Sequence, residues 1–161
     1  MNKYIFCNIN ESTETKEQAT KLLLETFPKA NMWPDLDKKI AIETINESIV
    51  DGNICIGIKI NKELIGWGCL RPDYCGNTWE LHPFAISTKF QGKGYGQILM
   101  GEIEKKAQEK GAIGIILSSG DEEKLTSLSE KEIIEENIFE EIKNIKNIKI
   151  IRMNFIKNVV F

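Results

Sequence analysis

The sequence predicts one mixed domain, α/β in content and α+β in order, with a mostly antiparallel sheet, one parallel strand pair and helices on both faces. Three observations carry this. Residues 54–60 and 64–70 are β-rich runs joined by the polar Asn61-Lys62-Glu63, the pattern of an antiparallel hairpin. Residues 79–86 read as a strand, 97–110 as a helix and 112–117 as a buried strand; two strands separated by one helix become parallel neighbours through a right-handed crossover. The length, 161 residues, suits a single domain, 1–161, with one substantial core.

In chain order, residues 3–8 are apolar and aromatic enough for a first strand. Ser12 or Thr13 can cap a helix running to about Phe27, with Ala19, Leu22, Leu23 and Phe27 on its apolar side and Pro28 stopping it. Asp35 or Asp37 caps a second helix, with Ile40, Ile45 and Ile49 inward and an end near Asp51-Gly52. Between these helices Phe27-Pro28 and Met32-Trp33-Pro34 make an aromatic loop. In the hairpin, Gly66 and Gly68 mark a bend or a close backbone approach. On the 79–86 strand, alternation puts Glu80, His82 and Phe84 on one face and Trp79, Leu81 and Pro83 on the other. The next helix carries Leu99, Ile103 and Ala107 inward and is closed by Gly111. Ser129-x-x-Glu132 is a capping box that opens a last helix to about Asn147.

Net charge is −3, with Lys and Arg scattered among the acids, which argues against nucleic acid as a partner. No apolar run reaches membrane-spanning length and the first residues make no signal peptide, so neither a membrane nor secretion is expected and the location is read as cytoplasmic. Cys7, Cys55, Cys69 and Cys75 form no Cys-x-x-Cys pair and read as reduced, mostly buried small hydrophobes. Cys69, Cys75 and His82 fit no familiar zinc spacing, and no metal is expected.

The chemistry centres on Gln91-Gly92-Lys93-Gly94-Tyr95-Gly96-Gln97. A strand entering a glycine-rich turn and then a helix gathers free backbone N–H groups and the positive end of a helix dipole at one point, which suits a phosphate. The nucleotide P-loop needs Ser or Thr after Gly-Lys, where Gly94 stands, and the dinucleotide fingerprint needs a glycine where Gln97 stands. Just ahead of the loop, Glu80 and His82, the only histidine, lie side by side on one strand face. A catalytic pair and a histidine held by an acid for structural reasons are both open on the residues alone.

Gln91-x-x-Gly94-x-Gly96 resembles the acyl-CoA pyrophosphate loop of the GNAT superfamily of N-acetyltransferases. Trp79-Glu80-Leu81-His82-Pro83, and further on Leu125-Thr126-Ser127-Leu128-Ser129, are similar to its aminoglycoside 6'-N-acetyltransferase branch. The resemblance covers about 27–149. It implies acetyl-CoA as cosubstrate, bound by Gln91 to Gln97 and by the strand backbone at Phe84, Ala85 and Ile86 beside a splayed parallel pair. It also implies a small cationic amine as acceptor, Glu80 and His82 as catalytic groups, and a homodimer. Phe27, Trp33, Trp79 and Asp121 are the substrate candidates it suggests, with packing against the next helix the other reading of Phe27 and Trp33. Ser118-Ser119-Gly120-Asp121 stands where the branch has Gly-Thr-Asp-Asp, so one acidic position is missing. A non-catalytic acyl-CoA module, and transfer to a protein or polyamine amine, are the rival functions.

After Lys149 the resemblance calls for a helix and a strand bearing a tyrosine near the thiol of CoA, yet no tyrosine follows Tyr95. A permitted codon set for residues 149–161, read two bases later, encodes Asn-His-Pro-Tyr-Glu-Phe-Tyr-Lys-Lys-Cys-Gly-Phe, which is similar to the expected helix. The expectation is that one adenine is lost from the A-rich run at Lys149, leaving a non-native tail and altered C-terminal elements.

Overall fold

The structure is a computed structural model, and it describes residues 3–27, 36–73, 77–117 and 144. The predicted last helix, the Leu125–Ser129 motif, the tail, Trp33, Cys75 and Asp121 lie outside these residues.

Strands β1 (Ile5–Asn8), β2 (Ile54–Ile60), β3 (Glu63–Asp73), β4 (Thr78–Ile86) and β5 (Gly114–Ile116) form one sheet in sequence order. All neighbours are antiparallel except β4 and β5, which run parallel as the crossover reading requires. Ser12 caps α1 (Thr13–Thr26) by accepting from the Thr15 amide, and Asp37 caps α2 (Lys38–Ser48) by accepting from Ile40. The β2–β3 turn is tighter than expected. Asn61 and Lys62 both have positive φ, 49° and 70°, as a two-residue hairpin turn demands, so Glu63 already belongs to β3.

Each sheet face buries one core. Ile9, Leu23, Ala41, Ile45, Trp67, Cys69 and Ala85 pack where α1 and α2 cover the sheet. Ile58, Leu70, Trp79, Leu81, Ile86, Leu99 and Ile103 pack on the other face against α3 (Tyr95–Glu109).

The expected strict alternation along β4 fails at one place. Gly68 pairs with Phe84 and Leu70 with Leu81, so two steps of β3 oppose three of β4 and the extra residue lies in the stretch containing the cis His82–Pro83 peptide. Glu80 and His82 stay together on the α2 side, as read. Phe84 does not join them, because the bulge returns it to the α3 face with Trp79, Leu81 and Ile86. Gly66 and Gly68 are points of close approach. A Cβ on Gly68 would lie 2.8 Å from Phe84 Cδ2 and 2.9 Å from Ile103 Cδ1.

Candidate acyl-transfer site

The site is built where β4 ends. The Ser87 amide donates to the Ile65 carbonyl on β3 at 2.8 Å. One residue earlier the strand therefore presents its polar groups to the opposite edge. There the Ile86 carbonyl accepts from Gln91 Nε2 at 2.9 Å. β5 pairs with β4 only over Thr78 to Glu80, so from Leu81 to Ile86 β4 has no strand on that side among the described residues. This is the splayed parallel pair.

From Ser87 the chain makes a short 3-10 turn, Thr88–Phe90, and enters the glycine loop. Gly92 and Gly94 have φ of 69° and 86°, and nothing lies within 4 Å of a Cβ built on either. Conformation, not crowding, selects glycine here. Gly94 is the N-cap of α3, makes no side-chain cap, and its carbonyl receives the Ile98 amide at 3.2 Å. The amides of Tyr95, Gly96 and Gln97 precede that first helical bond and belong to the helix's positive end. Residues 91–94 and Gln97 are exposed, so this end of the helix is open to solvent, the setting in which a helix N-terminus takes an anion.

The loop side chains divide by role. Gln91 ties the loop to β4. The buried Tyr95 ring packs edge-on against Phe90, 5.8 Å between centroids, leaving only its backbone to the loop side. Lys93 folds back, donating to the Lys89 carbonyl at 2.7 Å with Nζ 5.5 Å from the Phe90 centroid. Ser87 and Thr88 both donate to Glu25 Oε1 on α1, at 3.2 and 3.0 Å. Glu25 thus pins the corner that leads into the loop.

On the α2 side of β4 a groove of about 230 Å³ is lined by Glu43, Thr44, Glu47, Cys69, Arg71 and His82, among others. Arg71 is the cross-strand partner of Glu80, and its Nε donates to Glu80 Oε2 at 2.6 Å. That hydrogen bond, with the guanidinium charge behind it, holds the Glu80 carboxyl below its ordinary range. His82 is exposed at the rim, yet the groove wall withdraws enough of the ring from water to lower its pKa. Arg71 lowers it further, against weaker opposing pulls from Glu80 and Glu47. At neutral pH the pair is a carboxylate and a neutral imidazole, and the imidazole can accept a proton.

Of the sequence candidates, the structure brings Glu80 and His82 together and joins Ile86 to the loop through Gln91, while the Phe84 side chain packs on the α3 core. The Ala85 side chain points into the α1/α2 core. Trp79 is buried in the opposite core, 5 % exposed, away from the face of Glu80 and His82. Phe27 caps the end of α1, its amide donating to the Leu23 carbonyl, and packs on the α1/α2 core. Sequence reasoning missed Arg71, Glu47 and Glu25. Arg71 was within reach, since it follows Trp67 and Cys69 at strand spacing.

A family model described as the acetyltransferase (GNAT) family matches residues 16–125. The fold is similar to that of an aminoglycoside 6'-N-acetyltransferase crystallised with coenzyme A. The TM-score is 0.76 at 25 % identity, over 89 % of this chain and 76 % of that one. An aminoglycoside 6'-N-acetyltransferase from Enterococcus faecium gives 0.74 at 24 %, over 89 % of this chain and 76 % of that one. The ribosomal-protein-S18-alanine N-acetyltransferase of Escherichia coli shares the fold at 0.59 and 12 %, over 74 % and 69 %. Comparison with curated protein sequences finds no match. With its glycine loop, splayed strands and matched core segment, the chain belongs to the GNAT family of acetyltransferases.

Proposed function

We propose that this chain transfers the acetyl group of acetyl-CoA to a primary amine of a small cationic acceptor, and that the 6'-amine of an aminoglycoside is the first acceptor to test. The observation that carries this reading is the groove lined by His82, Arg71 and the acids Glu43 and Glu47, with Glu80 paired to Arg71 beside it, on the strand that leads to the loop. Four steps of strand separate His82 from Ile86, at most about 13 Å of extended chain. A pantetheine arm spans such a gap.

In this reading the amides of Gly94 to Gln97 hold the diphosphate. The strand edge at Phe84 and Ile86 directs the arm, and an edge amide polarises the thioester carbonyl. The amine nitrogen attacks that carbon, the carbon–sulfur bond breaks, and the amine proton passes to His82, directly or through water. Glu80, paired and hard to protonate, orients the site and favours a cation. An amine of pKa about 8 needs only about 1.4 kcal/mol to become neutral at pH 7, against about 4.6 for a lysine-like amine. A sugar amine therefore suits a base as weak as His82.

The departing thiolate needs a proton, and no tyrosine follows Tyr95. General acids contribute about 10²–10⁴ in rate. The frame-shifted tail and a homodimer belong to the same proposal, as does a cytoplasmic location, where acetyl-CoA is at hand. The test is thiol release from acetyl-CoA with kanamycin, a polyamine or a peptide amine, on this chain and on a version carrying the tail in the shifted frame. The expected result is weak turnover with kanamycin, rising by about 10²-fold or more when the tail is restored. Turnover only with the peptide overturns the acceptor class. Coenzyme A binding with no release from either version would make this a binding module. Gene sequencing checks the frame itself, and sedimentation the dimer.

A further inference from the structure

Cys55 on β2 and Cys69 on β3 are direct cross-strand partners, both reduced and both buried. Residues so opposed in an antiparallel pair have Cα atoms about 4.5–5.5 Å apart. That lies inside the span of about 4.4–6.8 Å that a disulfide bridges. Their sulfurs converge on one acceptor, the Ser48 carbonyl at the end of α2, at 3.1 Å from Cys55 and 3.3 Å from Cys69. Each residue also borders a surface groove. Cys69 lines the His82 groove, and Cys55 lines a second one, of about 380 Å³, beside β1 and α3. Nothing in the acyl-transfer chemistry uses either thiol.

We propose that Cys55 and Cys69 are a dithiol–disulfide couple, a modification site that takes a small disulfide oxidant through the grooves flanking the sheet. The two sulfurs are not equivalent in their surroundings. Burial opposes ionisation of both thiols. Cys69 lines the same groove as Arg71, whose positive charge favours its thiolate, and Cys55 does not line that groove. Cys69 is therefore the thiolate that attacks first. It displaces one thiolate from the reagent and becomes a mixed disulfide. Cys55 then gives up its proton, its sulfur attacks the Cys69 sulfur, and the second reagent thiolate leaves. Two protein thiols lose two electrons, and the reagent disulfide gains them as two thiols. The product ties β2 to β3 beneath α2 and removes both thiol donors from the Ser48 carbonyl, leaving the Asn53 Nδ2 donor at 3.0 Å.

The experiment treats the folded full-length chain with 2-hydroxyethyl disulfide, blocks remaining thiols by alkylation, digests without reduction and maps peptides by mass spectrometry. Cys7→Ser/Cys75→Ser serves as a second background. The expected result is an intramolecular Cys55–Cys69 peptide, reversed by a reducing agent. Cys55→Ser should stop at a mixed disulfide on Cys69, and Cys69→Ser should leave Cys55 unmodified. Three results overturn the proposal: both thiols alkylating only after denaturation with no cross-linked peptide, Cys69 stalled as a mixed disulfide in the parent chain, or Cys55 pairing with Cys7. Because the readout is a covalent mass, it stands or falls apart from the acyl acceptor.

Discussion

Gly94→Ala isolates the loop conformation from everything packed around it. At φ 86° an L-residue in the left-handed region costs about 1–2 kcal/mol. A methyl at this position meets nothing within 4 Å, so no clash adds to that cost. The exposed loop escapes the strain in the free protein by relaxing, at little expense to the core. Binding coenzyme A must then draw it back, so the cost appears as affinity. At 1.4 kcal/mol per tenfold, about 1–2 kcal/mol becomes a loss of about 5–30-fold in affinity for coenzyme A, with the melting temperature nearly unchanged. Gly94→Asn, which tolerates the left-handed region better, should recover part of it. Gly101→Ala is the control. It lies in α3, a Cβ there also meets nothing within 4 Å, and alanine should stabilise the helix by about 0.5–1 kcal/mol without touching affinity. Calorimetric titration with coenzyme A and thermal melts read both. Unchanged affinity and unchanged melting in Gly94→Ala would refute the assignment of the diphosphate to these amides.

Arg71→Gln removes the cation that lowers both Glu80 and His82. Each then keeps its proton to higher pH, the proton-accepting form is lost sooner on acidification, and the acidic limb of kcat/KM should move to higher pH; a limb that stays put excludes both groups as the base. For stability, both groups bind protons less readily when folded, so the wild-type chain should lose stability as pH falls, through the range of His82 first and of Glu80 below it. Glu25→Ala frees the Ser87 and Thr88 hydroxyls from α1 and should raise the KM for acetyl-CoA several-fold, with Glu25→Gln milder; equal KM values would reduce Glu25 to a surface contact. Gly66→Ala drives a Cβ into Ile86 Cδ1 and places it 3.1 Å from the Ala85 carbonyl oxygen. Overpacking of this kind costs about 1–3 kcal/mol, which a thermal melt would show.

The hairpin, the α1 and α2 caps and the strand–loop–helix unit were legible because each depends on residues near one another in the chain. Ser12 and Asp37 cap through their own neighbours, and Gly92 and Gly94 serve their own φ angles. What was not legible depends on register. The faces of β4 were assigned by strict alternation, and one extra residue around His82–Pro83 reversed the assignment for Phe84 while leaving Glu80 and His82 correct. The Arg71–Glu80 pair needs the same count, because its alignment lies beyond the bulge from Gly68–Phe84. Trp79 is a different case. Alternation already placed it opposite Glu80, and only the resemblance suggested a substrate role.

The bulge and Gly68 make sense together. Without the extra residue, Phe84 would face α2 and Ala85 would face α3, leaving a small side chain over the gap at Gly68. With it, the Phe84 ring and Ile103 fill the space that a Cβ at 68 would need. Glu80 and His82, ahead of the extra residue, stay on the α2 side, while Phe84 and Ile86 after it pack on the α3 side and Ile86 offers its carbonyl to Gln91. One strand can therefore serve two clients that need opposite geometry. Its first half presents His82 to the groove under α2 with Glu80 paired to Arg71 beside it, and its second half ties to the glycine loop that opens α3, the end to which the proposed reading gives the anion. A regular strand would give up one of these to keep the other.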